Sequence, residues 1–314
     1  MESSDLSTLG RVGVIGAGAV GSALARTLAA GGARMTAVAA RDQAHAAALA
    51  AVLPGQVIAT TAVEVVAAAD LVLLAVADDA ITPLAQTLPW RPDQAAVHLS
   101  GAKHTGALAA AQERGARIAA LHPLMTFPRL PLDTPVAALL ARMAGCVWAL
   151  DCDDAALRED LEAMVAALDG QVVRLRAENR IPYHISGVLM SNYVAALAGA
   201  AVQLWGAFGV ERDEALRALL PLLRATVESL ATSGLPAALT GPLARGDVGT
   251  VAAHLDWLRD AAETNAEGAA LLDAYRALGL LALPLARAKG ALTPEAAAAL
   301  EALLRAERRD DENG

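Results

Sequence analysis

The segment that most limits the fold is Gly16-Ala17-Gly18-Ala19-Val20-Gly21, which closes the apolar run Arg11–Gly16 and opens the helical run Ala19–Ala30. In a strand-to-helix turn the three glycines have separate mechanical reasons. Gly16 permits the tight turn, Gly18 lets a pyrophosphate approach the backbone, and Gly21 lets the helix pack closely on the strand. The helix N-terminus adds unpaired N–H groups and the positive end of a dipole, an arrangement that holds phosphate. The loop therefore points to a dinucleotide, with Gly16, Ala17, Gly18, Ala19, Val20 and Gly21 as its contacts.

Strand-like and helical runs alternate after the loop. Arg34–Ala40, Gln56–Ala59, Asp70–Val76, Ala95–Ser100 and Arg117–Leu121 read as strands, and Cys146–Leu150 and Val172–Leu175 flank a helix over Asp153–Leu168. Asp70–Val76 is continuous, apolar and branched, as a parallel strand buried on both faces should be. This alternation predicts an α/β Rossmann domain, a doubly wound and mostly parallel sheet, over residues 1–176. Strand signals then vanish. Ile185–Phe208, Glu211–Thr232, Thr250–Leu258, Asp260–Leu278 and Thr293–Arg308 read as helices, with a Gly/Pro-rich break over Ser233–Gly249, so residues 177–314 are expected to form an all-α domain.

Composition narrows the partners. The net charge is −9, and aromatic residues are 3% of the 314 residues. An acidic chain poor in aromatics lacks both the basic footprint and the stacking surface of a nucleic-acid binder. The two cysteines, Cys146 and Cys152, make neither a disulfide framework nor a zinc set, and no other metal site is read. No uninterrupted apolar run reaches the ~20 residues of a membrane span, and the N-terminus does not resemble a secretory signal. A soluble, cytoplasmic protein acting on a small molecule is expected.

The end of the second strand selects the cofactor. An NAD site places a carboxylate there for the ribose hydroxyls, whereas here Arg41 occupies the position and Asp42 follows it. The Arg41 guanidinium suits a 2′-phosphate, and Asp42 reads as the cap of the next helix. NADP(H) is therefore favoured over NAD(H). Ligands of open α/β sheets lie beyond the carboxyl ends of the strands. Val76 and Ala77 are placed against the cofactor, with Asp78 or Asp79 as a helix cap. Ser100 and Gly101 are placed under the nicotinamide or in a plain turn. His122, read as part of a loop beyond the sixth strand, is either a proton donor or substrate ligand, or a structural histidine.

In the helical half, His184, Val188, Ser191 and Asn192 fall on one face of a continuous helix. Polar groups on an otherwise apolar face need partners or a cavity, so this stripe is a candidate substrate wall. Arg245, in Thr240-Gly241-Pro242-Leu243-Ala244-Arg245-Gly246-Asp247, could hold an anionic substrate or pair with Asp247.

Together, GAGAVG, AARD, HLSGA, LHPLMTF, YHISGVLMSNY and LTGPLARGD resemble a family of Rossmann-like NADP oxidoreductases with a C-terminal domain of unknown function. The resemblance runs from about Gly10 to Leu258. The architecture is similar to the 6-phosphogluconate dehydrogenase, hydroxyisobutyrate dehydrogenase, ketopantoate reductase and pyrroline-5-carboxylate reductase group. It implies a dinucleotide domain, a helical domain, a cleft between them, and dimerisation through the helical part. Hydroxyacid dehydrogenases and ketopantoate reductases of that group use a lysine one turn before an asparagine. Here Asn192 is present, Val188 stands at the lysine position, and the only lysines are Lys103 and Lys289.

The expected activity is hydride transfer from NADP(H) to a small carbonyl or imine, a 2-oxoacid among the candidates. His184 is the first choice of proton donor, supported by Asn192, and His122 is the rival. Arg245, Ser191 and Ser100 would hold the substrate. The missing lysine motivates an alternative, a cofactor-binding sensor without turnover. A deazaflavin as hydride partner is a third reading.

Overall fold

The computed structural model describes residues 6–306. Eight strands form one sheet in the order β3-β2-β1-β4-β5-β6-β7-β8. They are β1 (Arg11–Ile15), β2 (Arg34–Ala39), β3 (Ile58–Ala59), β4 (Leu71–Leu74), β5 (Ala95–His98), β6 (Arg117–Pro123), β7 (Val147–Asp151) and β8 (Gln171–Arg174). Only the β6–β7 pairing is antiparallel; every other neighbouring pair is parallel.

Period-two alternation divides the core into two layers. Leu71 and Leu73 of β4 join one cluster, beneath α1 (Ala19–Ala30) and α2 (Gln43–Val52). Val72 and Leu74 join the other, beneath α3 (Ala62–Ala68), α4 (Asp78–Thr87) and α5 (Ala109–Glu113). The continuous apolar run in the sequence thus reflects burial on both faces. On the first face α6 (Val136–Met143) and α7 (Ala155–Ala167) complete the layer, through Met143 and through Leu157, Leu161 and Met164.

The helical part contains α8 (Arg180–Met190), α9 (Asn192–Gly206), α10 (Arg212–Ser233), α11 (Pro242–Arg245), α12 (Val248–Thr264), α13 (Ala266–Lys289) and α14 (Pro294–Arg305). A separate core joins Val251, Leu255 and Leu258 of α12 to Leu272 and Leu283 of α13 and Leu300 and Leu304 of α14. By contrast α9 buries only Val202, and α10 only Ala215.

Several boundaries differ from the sequence reading for physical reasons. The predicted helix over Ile185–Phe208 is two helices, because Ser191 leaves helical geometry at φ −124°, ψ −72°. The predicted helices Thr250–Leu258 and Asp260–Leu278 are one helix to Thr264 and another to Lys289, divided at Asn265, whose side chain accepts from Gly268 N at 2.8 Å. β6 continues through His122 and Pro123 because β7 returns antiparallel and pairs them with Ala149 and Trp148. His122 is thus a strand residue. The compact units divide between Val194 and Ala195, whereas the sequence placed the change near Arg176. The reason is Arg180, which bonds to the carbonyl oxygens of Ser100 and Ala120 and joins α8 to the sheet.

Two helical spans, Ala177–Gly206 and Ala266–Lys289, are long and apolar enough by length and composition to cross a membrane. An uninterrupted apolar run, the criterion applied to the sequence, is stricter than a mean hydropathy and missed both. The first span is broken at Ser191 and its opening turn is anchored by a buried arginine. The second packs Leu272, Leu283 and Ala286 into the helical core.

Candidate dinucleotide cleft and histidine cluster

The glycine-rich loop separates what the protein requires from what a ligand would require. Gly16 has φ +113°, and a Cβ there would stand 2.2 Å from the Ala75 carbonyl oxygen. A Cβ on Gly21 would stand 1.9 Å from the Gly16 carbonyl oxygen. Both glycines are imposed by the packing of α1 on β1 and β4. Gly18 is not: a Cβ there meets nothing within 4 Å, and its backbone is ordinary extended chain at φ −76°, ψ −168°. It is the N-cap of α1 and no side chain caps that end. Small size at Gly18 therefore serves open space in front of a helix N-terminus, which fits a phosphate approaching the backbone.

That space is a cavity of about 680 Å³ lined by Gly16, Ala17, Gly18, Arg41, Val76 and Ala77, among others. Arg41 is exposed at its wall. Asp42 also lines this cavity, but its carboxylate is engaged: it accepts from Ala44 N at 3.0 Å and His45 N at 3.3 Å to cap α2, and its other oxygen lies 3.0 Å from His45 Nδ1. The Asp42 carboxylate is thus engaged by the chain, whereas the Arg41 guanidinium makes no hydrogen bond or ion pair among the described residues. This donor set fits NADP(H). Asp78 and Asp79 are not caps. α4 begins one residue earlier than a cap at either would allow, so Ala77 is the N-cap and both carboxylates lie in the first turn, where they favour the dipole.

A second constellation gathers at the ends of β5 and β6. Arg180 is 1% exposed. Its Nη1 donates to Ser100 O at 2.9 Å and its Nη2 to Ala120 O at 3.1 Å, while Nε lies 3.7 Å from Asp151 Oδ2. One side chain thus ties the turn after β5, the middle of β6 and the end of β7 to the first turn of α8. On the same helix face, at i+3 and i+4, stand Tyr183 and His184. The Tyr183 hydroxyl is 2.9 Å from His122 Nδ1. His122 and His184 flank Gly101, where a Cβ would fall 2.6 Å from His184 Nδ1 and 2.9 Å from His122 Nε2. Their ring centroids are 6.2 Å apart at 77°. Gly101 is required because two imidazoles close over its Cα.

Burial sets the electrostatics of this group. It pushes His122 down to about 4, with His184 and Arg180 adding repulsion of the imidazolium. It pushes Tyr183 up to about 12. Both are neutral near pH 7. A Tyr183 hydroxyl that donates to Nδ1 leaves the His122 proton on Nε2, facing Gly101. His184 has no hydrogen-bond partner among the described residues and is partly exposed.

Other candidates have structural duties or stand on other elements. The Ser100 hydroxyl accepts from Ala102 N at 3.2 Å and Lys103 N at 3.0 Å, closing the turn after β5. His98 accepts from Ser100 N and faces the His104 carbonyl, and burial holds it at about 4. Ser191 occupies the break after α8, and Asn192 opens α9 as an exposed residue, so neither continues the His184 face of α8. Arg245 ends α11 in the second unit and is exposed. Asp247 caps α12, accepting from Thr250 N at 3.0 Å and Thr250 Oγ1 at 2.7 Å. Lys289 Nζ donates to the carbonyls of Ala237 and Leu239, and Lys103 is exposed. The sequence reading missed Arg180 and Tyr183, although their spacing with His184 was visible.

Residues 2–123 match a Rossmann-like domain, and residues 146–282 match a domain of unknown function, DUF2520. No curated protein matches the sequence. Among solved structures, protein TM1727 of Thermotoga maritima is 21% identical with a TM-score of 0.64, over 88% of this chain and 99% of its own. A reductive aminase of Aspergillus terreus, in complex with NADPH and ethyl levulinate, is 19% identical with a TM-score of 0.59, over 93% and 98%. The 1-pyrroline-5-carboxylate reductase of Streptococcus pyogenes is 15% identical with a TM-score of 0.57, over 84% and 96%. At these identities the likeness is one of fold. The chain joins a Rossmann-like domain to a DUF2520 domain.

Proposed function

We propose that the chain is an NADP(H)-dependent oxidoreductase acting on a small carbonyl or imine, a 2-oxoacid or cyclic imine being the class to try first. The observation that carries this reading is Gly18, a glycine that nothing in the protein requires, facing a cavity bordered by Arg41. The solved reductive aminase of similar fold is in complex with NADPH, which supports the same cofactor here.

The bound nicotinamide would supply the hydride. The chain's part is to hold the cofactor, orient the substrate and supply one proton. The α1 N-terminus holds the pyrophosphate, and Arg41 the 2′-phosphate. His184 delivers the proton to the oxygen or nitrogen that gains a lone pair as the hydride arrives, because its ring nitrogens have no hydrogen-bond partner among the described residues. His122, neutral and fixed by Tyr183, offers an N–H to the same atom and does not itself ionise. Arg180 anchors the first turn of α8, and with it Tyr183 and His184, to the sheet. Ser191 and Asn192, at the junction of α8 and α9, are proposed as further substrate contacts.

The test is turnover of NADPH by His184→Ala. General acid catalysis contributes roughly 10²- to 10⁴-fold, so kcat should fall by at least 100-fold with NADPH affinity within about twofold. Undiminished turnover would remove His184 from the mechanism. The absence of a lysine from the histidine cluster favours a second reading, a sensor that binds the cofactor without turning over. Tight NADPH binding with no oxidation across a panel of 2-oxoacids and cyclic imines would establish it.

We further propose a soluble, cytoplasmic homodimer formed through the helices. In support, Ile185, Leu189 and Met190 on α8 and Leu222 and Val227 on α10 are exposed apolar side chains, more than solvated faces ordinarily carry. Light scattering after size exclusion should give twice the chain mass; a monomer would refute the pairing.

A further inference from the structure

The N-terminal unit has a second cavity, about 410 Å³, on the α1 flank of the glycine-rich loop. Its walls come from α1, from residues 125–132 after β6, and from α6. Phe127, Leu132, Leu139 and Met143 make it largely apolar. Its charged lining residues are Arg26, Arg129 and Arg142, and no aspartate or glutamate lines it, in a chain of net charge −9.

Arg26 is the telling residue. It is 8% exposed, yet its one hydrogen-bond acceptor among the described residues is the Thr134 carbonyl, and no carboxylate pairs with it there. A guanidinium carries five N–H donors. Burying its charge without a counter-charge is costly, and buried charges are ordinarily paired. The residue lines the cavity. Arg26 sits two turns along α1 from Gly18, its backbone about 12 Å away, and its guanidinium is drawn to the Thr134 carbonyl.

We propose that this cavity is a distinct anion site built on Arg26, taking a small carboxylate with an apolar body. The carboxylate pairs with Arg26, helped by Arg142 at the rim, and the body lies along Leu132, Leu139 and Met143. Ala17, Gly18, His45 and Arg129 border both this cavity and the dinucleotide cleft, so occupancy changes dinucleotide affinity. That coupling rests on the dinucleotide reading; the site itself does not.

Calorimetry of the cofactor-free protein with octanoate, 1-octanol and inorganic phosphate tests the site. Octanoate should bind once per chain, at least about tenfold more tightly than octanol or phosphate. Losing a charged hydrogen bond should weaken it about tenfold or more in Arg26→Met, which keeps an unbranched apolar stem. Arg142→Glu, exposed on α6, should weaken it likewise in a chain whose fold is undisturbed. Octanol or phosphate binding as tightly as octanoate, unsaturable binding, or full affinity in the variants would overturn the proposal. NADPH titrations with and without saturating octanoate then read the coupling. An unchanged Kd there, with octanoate still bound, would refute the coupling and leave the site standing.

Discussion

Gly18→Ala and Gly21→Ala separate a glycine a ligand needs from one the fold needs. At Gly18 a methyl meets no protein atom within 4 Å, and the extended backbone suits any residue. Restricting the unfolded chain favours alanine by about 0.4–1 kcal/mol. Alanine is a poorer N-cap than glycine by a comparable amount. The two nearly cancel, so unfolding should move by less than about 1 kcal/mol, or roughly 2–4 °C in Tm for a unit of this size. NADPH binding should behave otherwise. The methyl stands where the pyrophosphate approaches, and losing one charged hydrogen bond to the helix N-terminus costs about 1.5–3 kcal/mol. The Kd should rise about 10- to 100-fold. In Gly21→Ala the methyl is placed 1.9 Å from a backbone oxygen that has nowhere to go. Overpacking should then lower stability by at least about 1–3 kcal/mol. Fluorescence titration with NADPH and thermal unfolding of each variant suffice. If Gly18→Ala kept wild-type affinity, or lost stability as Gly21→Ala does, the case for a phosphate at this loop would fail.

Other outcomes follow from the same geometry. Arg41→Ala should erase most of the preference for NADPH over NADH, read as the ratio of their Kd values; an unchanged ratio would leave Arg41 a surface charge. Gly101→Ala should swing His122 and His184 aside and lower kcat about 100-fold, with NADPH affinity within twofold; normal turnover would show that the imidazoles are not held for chemistry. His98 and His122 have folded pKa values of about 4, below the ~6.5 of an unfolded histidine. The unfolded chain therefore takes up protons first as pH falls. Stability is complete above about pH 7 and declines toward pH 4, by about 2 kcal/mol per histidine at pH 5. Urea unfolding at pH 7.5 and 5.0 reads this loss, and His122→Gln should remove about half of it; a flat profile would contradict the burial of both rings.

Much of the first unit was legible because its signals are local. Leu71–Leu74 is buried on both faces within an apolar run that lies between Asp70 and Asp78, and such a run in a βα repeat has few other places to go. Asp42 could be recognised as a cap from its position ahead of a helix. The histidine cluster was only half legible. His122 and His184 stood out as ionisable residues near strand and helix ends, but Arg180 carried no local signal. Its burial depends on the converging ends of β5, β6 and β7, which no local pattern encodes. The break at Ser191 was invisible for a related reason: neither glycine nor proline marks it. Ser191 and Asn192 therefore seemed to continue a face that ends with α8. Arg26 was hidden inside an ordinary helical stretch, because only the chain after β6 makes a cavity beside it.

The cluster also explains how chemistry could proceed without a lysine. It already holds one permanent cation, Arg180, which is bound into the sheet and cannot approach a substrate. That charge contributes to keeping His122 neutral, and a second buried cation beside it would be costly for the same reason. Two imidazoles meet the requirement differently, since a neutral ring can donate an N–H without carrying charge. A ring held at about 4 does not titrate between pH 5 and 9. Any ionisation in kcat/KM over that range must belong to another group. His122→Gln should accordingly lower the height of the pH–rate profile and leave its shape unchanged. Loss of an inflection in that variant would assign the proton to His122 and reverse the roles proposed for the two histidines.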